Sequence, residues 1–227
     1  GAGPVTCAVY VRRLLADGVK PDAVVIEVLP PLLASQVEPS EARWLRAIRL
    51  RPGEVAVVRG YGLPVEPPAA HGPRGWLLPW HEYRIPLVDR YARPLSLLPF
   101  PMTAAGLTNP HGFDRWRERV EPADRARMLE HTRREYAWYT AGYAPGGCGA
   151  AAVRDALAAC RAAGVKAALM LAPESSEFRS WYAEPGRSRL LPLLNELASE
   201  TGAPLFDGRA WLADELTADG HHLTGPG

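Results

Sequence analysis

Several features that mark special classes of protein are scarce in this chain. Three widely spaced cysteines (Cys7, Cys148 and Cys160) are too few and too far apart for a disulfide framework or a zinc site. No apolar run approaches the roughly 20 residues that span a bilayer. The net charge of +1 and the scattered arginines argue against nucleic acid or an anionic membrane as main partner. What remains is typical of a soluble globular domain, with 47% hydrophobic and 22% charged residues.

The two ends of the sequence indicate a fragment. The chain opens with Gly1 instead of Met and stops in a turn-like Gly-Pro-Gly. We therefore expect a single α/β domain over residues 1–227 that is truncated at both ends. The cellular location stays open, because a signal peptide would lie outside such a piece.

Helical and strand patterns alternate at both ends of the chain. Apolar residues at helical spacing run from Val5 to Leu15, and a β-branched run from Ala23 to Leu29 follows. That run is typical of a strand buried on both faces, so Glu27 within it should pair with an internal arginine or lie at a pocket floor. The same alternation continues as a helix at 150–163, a strand at 165–172, a helix around 190–197 and a short strand at 204–206. This order predicts a parallel sheet with helices on both faces.

The alternation breaks between about residues 39 and 149. This stretch holds most of the prolines and several tryptophans, with charged helical patterns near 41–50 and 124–139. We expect an insertion of helices and loops over one edge of the sheet, and a lid is one role for it.

Two chemically useful residues lie three positions apart after the last predicted strand. Asp219 and His222 have a spacing at which a carboxylate can orient an imidazole base, and His221 is the competing base. The same three residues could hold a metal ion, but no further His or Asp motif accompanies them. We therefore expect no metal and no cofactor.

Polar residues also follow the strand predicted at 165–172, at the edge where parallel sheets bind ligands. Glu174, Ser175 and Ser176 either cap a helix or line a pocket in which Glu174 or Ser176 orients the substrate or the catalytic loop. Ser175 is a further candidate for a nucleophile, although no Gly-x-Ser-x-Gly elbow surrounds it. Arg179, followed by aromatic residues, suits a sugar or carboxylate ligand, or an interface with the insertion.

These residues resemble the SGNH (GDSL-like) hydrolase superfamily, which includes acyltransferases that modify polysaccharides. Asp219-Gly220-His221-His222, followed by Leu-Thr, matches the C-terminal Asp-x-x-His block of the family. The opening Gly1-Ala2-Gly3-Pro4 is similar to the end of its glycine block, with Gly1 as the first choice of counterpart and Gly3 as the alternative. The resemblance implies a three-layer, flavodoxin-like α/β sandwich whose nucleophilic serine lies upstream of this chain.

The resemblance also implies a reaction: ester hydrolysis, or O-acylation of a carbohydrate, through an acyl-serine intermediate. His222 would be the general base and then the acid, Asp219 would orient it, and Gly1 or Gly3 would serve the oxyanion hole. The place of the family's Gly-x-Asn-Asp block reads Glu27-Val28-Leu29-Pro30-Pro31 and offers no Asn. A small-molecule or carbohydrate ester is the expected substrate, and this chain without its serine is expected to be inactive. The alternative is a non-catalytic α/β binding or scaffold domain with a degenerate site.

Overall fold

The structure is a computed structural model that describes residues 3–35, 41, 45, 50–65 and 120–224. The chain divides into two compact units, and the helices and strands below belong to the larger one. Its N-terminal part contains α1 (Pro4–Ala16), β1 (Ala23–Val28), a 3-10 turn (Pro30–Leu33) and α2 (Pro52–Gly60). Its C-terminal part contains α3 (Pro122–Ala141), α4 (Gly147–Ala162), β2 (Lys166–Leu171), α5 (Ser176–Ser180), α6 (Gly186–Thr201), β3 (Leu205–Asp207) and a second 3-10 turn (Asp214–Leu216).

The three strands form a parallel sheet in the order β1-β2-β3, which confirms the α/β class. Val28 pairs with Leu171, and Leu171 pairs with Asp207, so the three strands end level with one another. All segments that leave the strands therefore start at one edge of the sheet. Helices α1 and α4 precede β1 and β2, so each begins near this same carboxyl edge.

One face of the sheet is buried and the other is exposed. Ile26 and Val28 are 2% exposed beneath the helices, whereas Val25 is 58% exposed and Phe206 is 46% exposed. Right-handed connections between strands that follow one another in order place α4 and α6 on the same face. The prediction that β1 is buried on both faces is therefore wrong. Glu27 is exposed and needs neither an internal arginine nor a pocket. A third layer stays a prediction.

The predicted insertion is described only in part. Helix α3 confirms the charged helical pattern at 124–139, and α2 is a further helix in the range. Most of the pattern at 41–50 lies outside the described residues, and the limits at about 39 and 149 stay predictions. In the ranges that the structure describes, none of the helices is both long enough and apolar enough to cross a membrane.

Candidate functional site

A closed turn after β3 carries the candidate base. Thr217 and Leu223 form an antiparallel bridge, and the backbone N–H of Ala218 donates to the carbonyl of His222 at 2.7 Å. Gly220 reverses the chain with φ +104°, and a Cβ there would lie 3.0 Å from the Cβ of Phe178. Only glycine combines this backbone conformation with such close packing.

Asp219 and His222 form a hydrogen-bonded pair on this turn. The Nδ1 atom of His222 lies 2.7 Å from Oδ2 of Asp219, while the His222 backbone N–H donates to Oδ1 at 2.9 Å. Burial by itself would raise the pKa of Asp219, but the hydrogen bond from His222 and the neighbouring imidazoles lower it to about 2. The His222 side chain is 59% exposed. An ionised, buried carboxylate therefore holds an imidazole that solvent can reach.

His221, the competing base, lies beside the His222 ring, with the two ring centroids 4.1 Å apart, but it is buried. Its side chain is 8% exposed and packs against Phe178 and Tyr136, with ring centroids 4.9 and 5.3 Å away. Burial is the main reason that the pKa of His221 is lowered to about 4. The shielded position favours His222 as the base.

The loop before the turn is held by Arg125, which sequence reasoning missed, and by Ser176, which it predicted as a site residue. Arg125 of α3 donates to the carbonyl oxygens of Asp214 at 2.8 Å and Thr217 at 2.9 Å. The backbone N–H of Ser176 donates to the Asp214 carboxylate at 2.8 Å. The charged pattern of α3 predicted a helix, but nothing in it distinguished Arg125 from its exposed neighbours.

Ser175 and Ser176 serve as structural residues in the segment after β2. The Ser175 hydroxyl is fully buried and accepts a hydrogen bond from the backbone of Phe178 at 3.1 Å, which caps α5. The Ser175 backbone N–H donates to the carbonyl of Gly220 at 2.7 Å, so this segment supports the candidate turn directly. The Ser176 hydroxyl donates to Asp214. This geometry favours the capping interpretation and argues against Ser175 as a nucleophile.

Glu174 and Arg179 also act within the protein. The Glu174 side chain is 1% exposed, and its Oε1 accepts a hydrogen bond from the Tyr182 hydroxyl at 2.6 Å. Burial raises the pKa of Glu174 to about 7. The Arg179 guanidinium donates to the carbonyl oxygens of Glu174 and Arg209. Both residues are thus hydrogen-bonded within the segment that supports the turn.

The N-terminus of α1 is occupied by an acidic side chain. Gly3 is the N-cap residue, and the backbone N–H of Thr6 donates to Oε1 of Glu41 at 2.7 Å. A Cβ on Gly3 would lie 2.5 Å from the carboxyl carbon of Glu41. Burial raises the pKa of Glu41. Sequence reasoning missed Glu41, and Gly1, the first choice for the oxyanion hole, lies outside the described residues.

The expected place of an oxyanion-hole Asn is apolar. Pro30 and Pro31 begin the 3-10 turn after β1 and are both buried. The carbonyl of Leu33 accepts a hydrogen bond from Gly146 at 2.8 Å, and the backbone N–H of Ser35 donates to Ala144. This loop is therefore bonded to the chain that leads into α4.

The described residues line cavities at the sheet and on the helices of the candidate site. One of about 490 Å³ is lined by the starts of the strands, including Ala23, Lys166 and Pro204. Another of about 530 Å³ is lined by α3 and α5, which carry the Tyr136 and Phe178 rings that pack on His221. The second groove is the one on the helices of the candidate site.

The turn also brings possible metal ligands together. Asp219, His221 and His222 each offer one ligand atom, and these atoms lie within 4.8 Å of one another. Two imidazole nitrogens and a carboxylate oxygen are donors that Zn²⁺ accepts.

No family model, no curated protein and no solved structure matches this chain.

Proposed function

We propose that Asp219 and His222 are the acid–base pair of an SGNH-like ester hydrolase or carbohydrate O-acyltransferase. The observation that carries this proposal is the 2.7 Å contact between His222 Nδ1 and Asp219 Oδ2, with the carboxylate buried and the imidazole exposed. The position of the pair on a turn after the last strand of a parallel sheet supports it further.

The geometry suits general base catalysis. A carboxylate bound at Nδ1 keeps the proton on that nitrogen, so Nε2 is the nitrogen that would accept a proton from a hydroxyl nucleophile. The serine oxygen would attack the ester carbonyl, and His222 would pass the proton to the departing alcohol as the acyl-serine forms. Water or a sugar hydroxyl would then take the acyl group, with His222 again removing the proton.

The proposed nucleophile is a serine upstream of Gly1, as the resemblance implies. The serines after β2 are bonded elsewhere: the Ser175 hydroxyl caps α5, and the Ser176 hydroxyl binds Asp214. We also propose that the parallel sheet belongs to a three-layer, flavodoxin-like sandwich. The uncovered face at Val25 and Phe206 supports a further layer there.

A second candidate function is a non-catalytic scaffold or binding domain with the same fold. The observation that favours it is Glu41, whose carboxylate accepts the Thr6 backbone N–H at the N-terminus of α1. A negative charge in front of these amides would oppose a developing oxyanion in the same place.

The proposal is tested in the longest reading frame that contains this chain. Turnover of p-nitrophenyl acetate is measured for the wild type, His222→Ala, Asp219→Asn and the control His131→Ala, whose ring is 70% exposed on α3. We expect the first two variants to lose at least roughly 10³-fold in rate and the control to keep it. The isolated 227-residue chain should show no turnover.

Thermal unfolding of each variant shows that a lost rate is not a lost fold. An unchanged rate in His222→Ala would remove this residue from the mechanism. A folded wild type that turns over neither this ester nor acetylated sugars would favour the scaffold candidate instead.

A further inference from the structure

The turn that carries the candidate base also contains a buried imidazole nitrogen without a hydrogen-bond partner among the described residues. His221 Nδ1 is shielded from solvent, and in the described part of the chain no hydrogen-bond partner reaches it. The nearest carboxylate atom, Oδ1 of Asp219, is 3.6 Å away, which is too long for a hydrogen bond. A buried polar atom without a partner lowers stability, so a group that bonds to this nitrogen would bind with an advantage.

The surrounding atoms define what can fill the gap. Asp219 presents one oxygen towards His221 at 3.6 Å and the other towards His222 Nδ1 at 2.7 Å. Tetrahedral Zn²⁺, with bonds of about 2.0–2.1 Å, holds its ligand atoms about 3.3 Å apart. The separation of His221 Nδ1 from Oδ1 is close to that value, whereas the contact of His222 Nδ1 is with the other carboxylate oxygen. One ligand atom from each of the three residues lies within 4.8 Å of the others.

The chemistry of these donors selects the class of ion. Two imidazoles and one carboxylate suit Zn²⁺, Co²⁺, Ni²⁺ or Cu²⁺, whereas Mg²⁺ and Ca²⁺ prefer oxygen ligands alone. Asp219 is fixed by the backbone N–H of His222 at 2.9 Å, and His221 is fixed between the rings of Phe178 and Tyr136. The His222 side chain is 59% exposed, so an ion can reach the site from solvent.

We propose that the turn binds one divalent transition-metal ion, with Zn²⁺ as the probe, through Asp219, His221 and His222. The ion takes the place of the proton between His222 Nδ1 and Asp219 Oδ2, and the neutral imidazole carries its proton on Nε2 instead. The metal-bound His222 then lacks its contact with the orienting carboxylate. Zn²⁺ is therefore a reversible inhibitor of the acid–base pair, a consequence that depends on the function proposed above.

Binding is measured by titrating the metal-free chain with Zn²⁺ in a calorimeter and with Co²⁺ by visible absorption. We expect one ion per chain, with intense Co²⁺ d–d bands typical of four ligands. His221→Phe keeps the aromatic packing but removes a ligand, and His222→Ala removes an exposed ligand without disturbing the core. Each should weaken Zn²⁺ binding at least about 10-fold, while His131→Ala binds as the wild type does.

The outcomes separate this inference from the proposed function. Saturable binding that both ligand variants weaken supports the site whether or not esters are turned over. No saturable Zn²⁺ binding, or binding that His221→Phe and His222→Ala leave unchanged, overturns it even if turnover is present. Where the full-length protein turns over an ester, Zn²⁺ should abolish the rate and EDTA should restore it. A rate that survives saturation with Zn²⁺ would contradict the inhibitory role.

Discussion

Two buried carboxylates at the same edge of the sheet behave in opposite ways. Asp219 is 9% exposed and has a pKa lowered to about 2, whereas Glu174 is 1% exposed and has a pKa raised to about 7. The segments that carry them are joined by the hydrogen bond from the Ser175 backbone to Gly220. The two carboxylates thus share a position in the fold, and the difference between their pKa values comes from the groups that each one contacts.

Burial raises both pKa values, so hydrogen-bond donors decide the outcome. Asp219 has the His222 ring and the His222 backbone N–H within 2.9 Å, and a second imidazole nearby. Glu174 accepts one hydrogen bond from the neutral Tyr182 hydroxyl, and no described residue reaches its second oxygen. Arg209 lowers the Glu174 pKa too little to offset burial. A buried carboxylate stays charged only where its partners replace water.

The largest effect should come from Glu174→Gln. The folded-state pKa of about 7 lies above the unfolded value of 4.5, so the wild type binds an extra proton on folding between these values. The stability that this proton contributes to the wild type is fully present below pH 4.5 and is lost as the pH rises through about 7. The loss amounts to roughly 3 kcal/mol in the free energy of unfolding. Glutamine does not titrate. Relative to wild type, the variant should gain roughly this amount in free energy of unfolding between pH 4.5 and pH 8.

Urea unfolding at several pH values measures this gain. Glu177→Gln, an exposed change on α5, is the matched control and should leave the pH dependence as it is. A constant difference between Glu174→Gln and wild type would mean that Glu174 is charged in the folded protein.

Asp219→Asn should lower the free energy of unfolding, and by less than Glu174→Gln raises it. The amide keeps an acceptor for the backbone but loses the charge that strengthens its bonds with His222, so stability at pH 7 should fall by roughly 2 kcal/mol. Asp124→Asn, in an exposed ion pair with Arg127, should change stability by less than about 0.5 kcal/mol. Equal effects of the two changes in urea unfolding would remove the contrast between Asp219 and Glu174.

The smallest effect is an expected coupling between Gly3 and a third buried carboxylate, Glu41. Gly3→Ala places a methyl group 2.5 Å from the Glu41 carboxyl carbon and should cost about 1–3 kcal/mol by displacing it from the Thr6 backbone N–H. In a Glu41→Ala background the same change should cost about 1 kcal/mol less, because the new methyl group no longer meets the Glu41 carboxylate. A double-mutant cycle by urea unfolding measures this coupling, and strict additivity would show that the two groups do not meet.

Local patterns predicted most of the regular structure. Helices α1, α4 and α6 and strands β2 and β3 follow from apolar periodicity and from glycine stops such as Gly202, which adopts φ +72°. The spacing of Asp219 and His222 likewise predicted a shared turn, since a three-residue separation brings their side chains together locally.

The sequence did not predict the hydrogen bonds between residues that are far apart along the chain. Glu41 reaches the N-terminus of α1 across 35 positions, and Arg125 of α3 reaches Thr217 across 92. Glu27 was expected to be buried because its neighbours are β-branched, yet it lies on the exposed face. Each of these outcomes depends on how the helices and strands pack against one another. The composition of a single segment does not specify that packing.

The sequence by itself determined the alternation of helices and strands, the parallel sheet and the pairing of an acid with an imidazole, because these depend on neighbours along the chain. Tertiary structure alone decided which histidine is shielded, which carboxylate holds a charge and which face of the sheet is covered. Those properties depend on solvent exclusion and on donors brought from distant segments. The hydrogen bonds to Asp219 and the burial of Glu174 are set by the folded environment of each side chain.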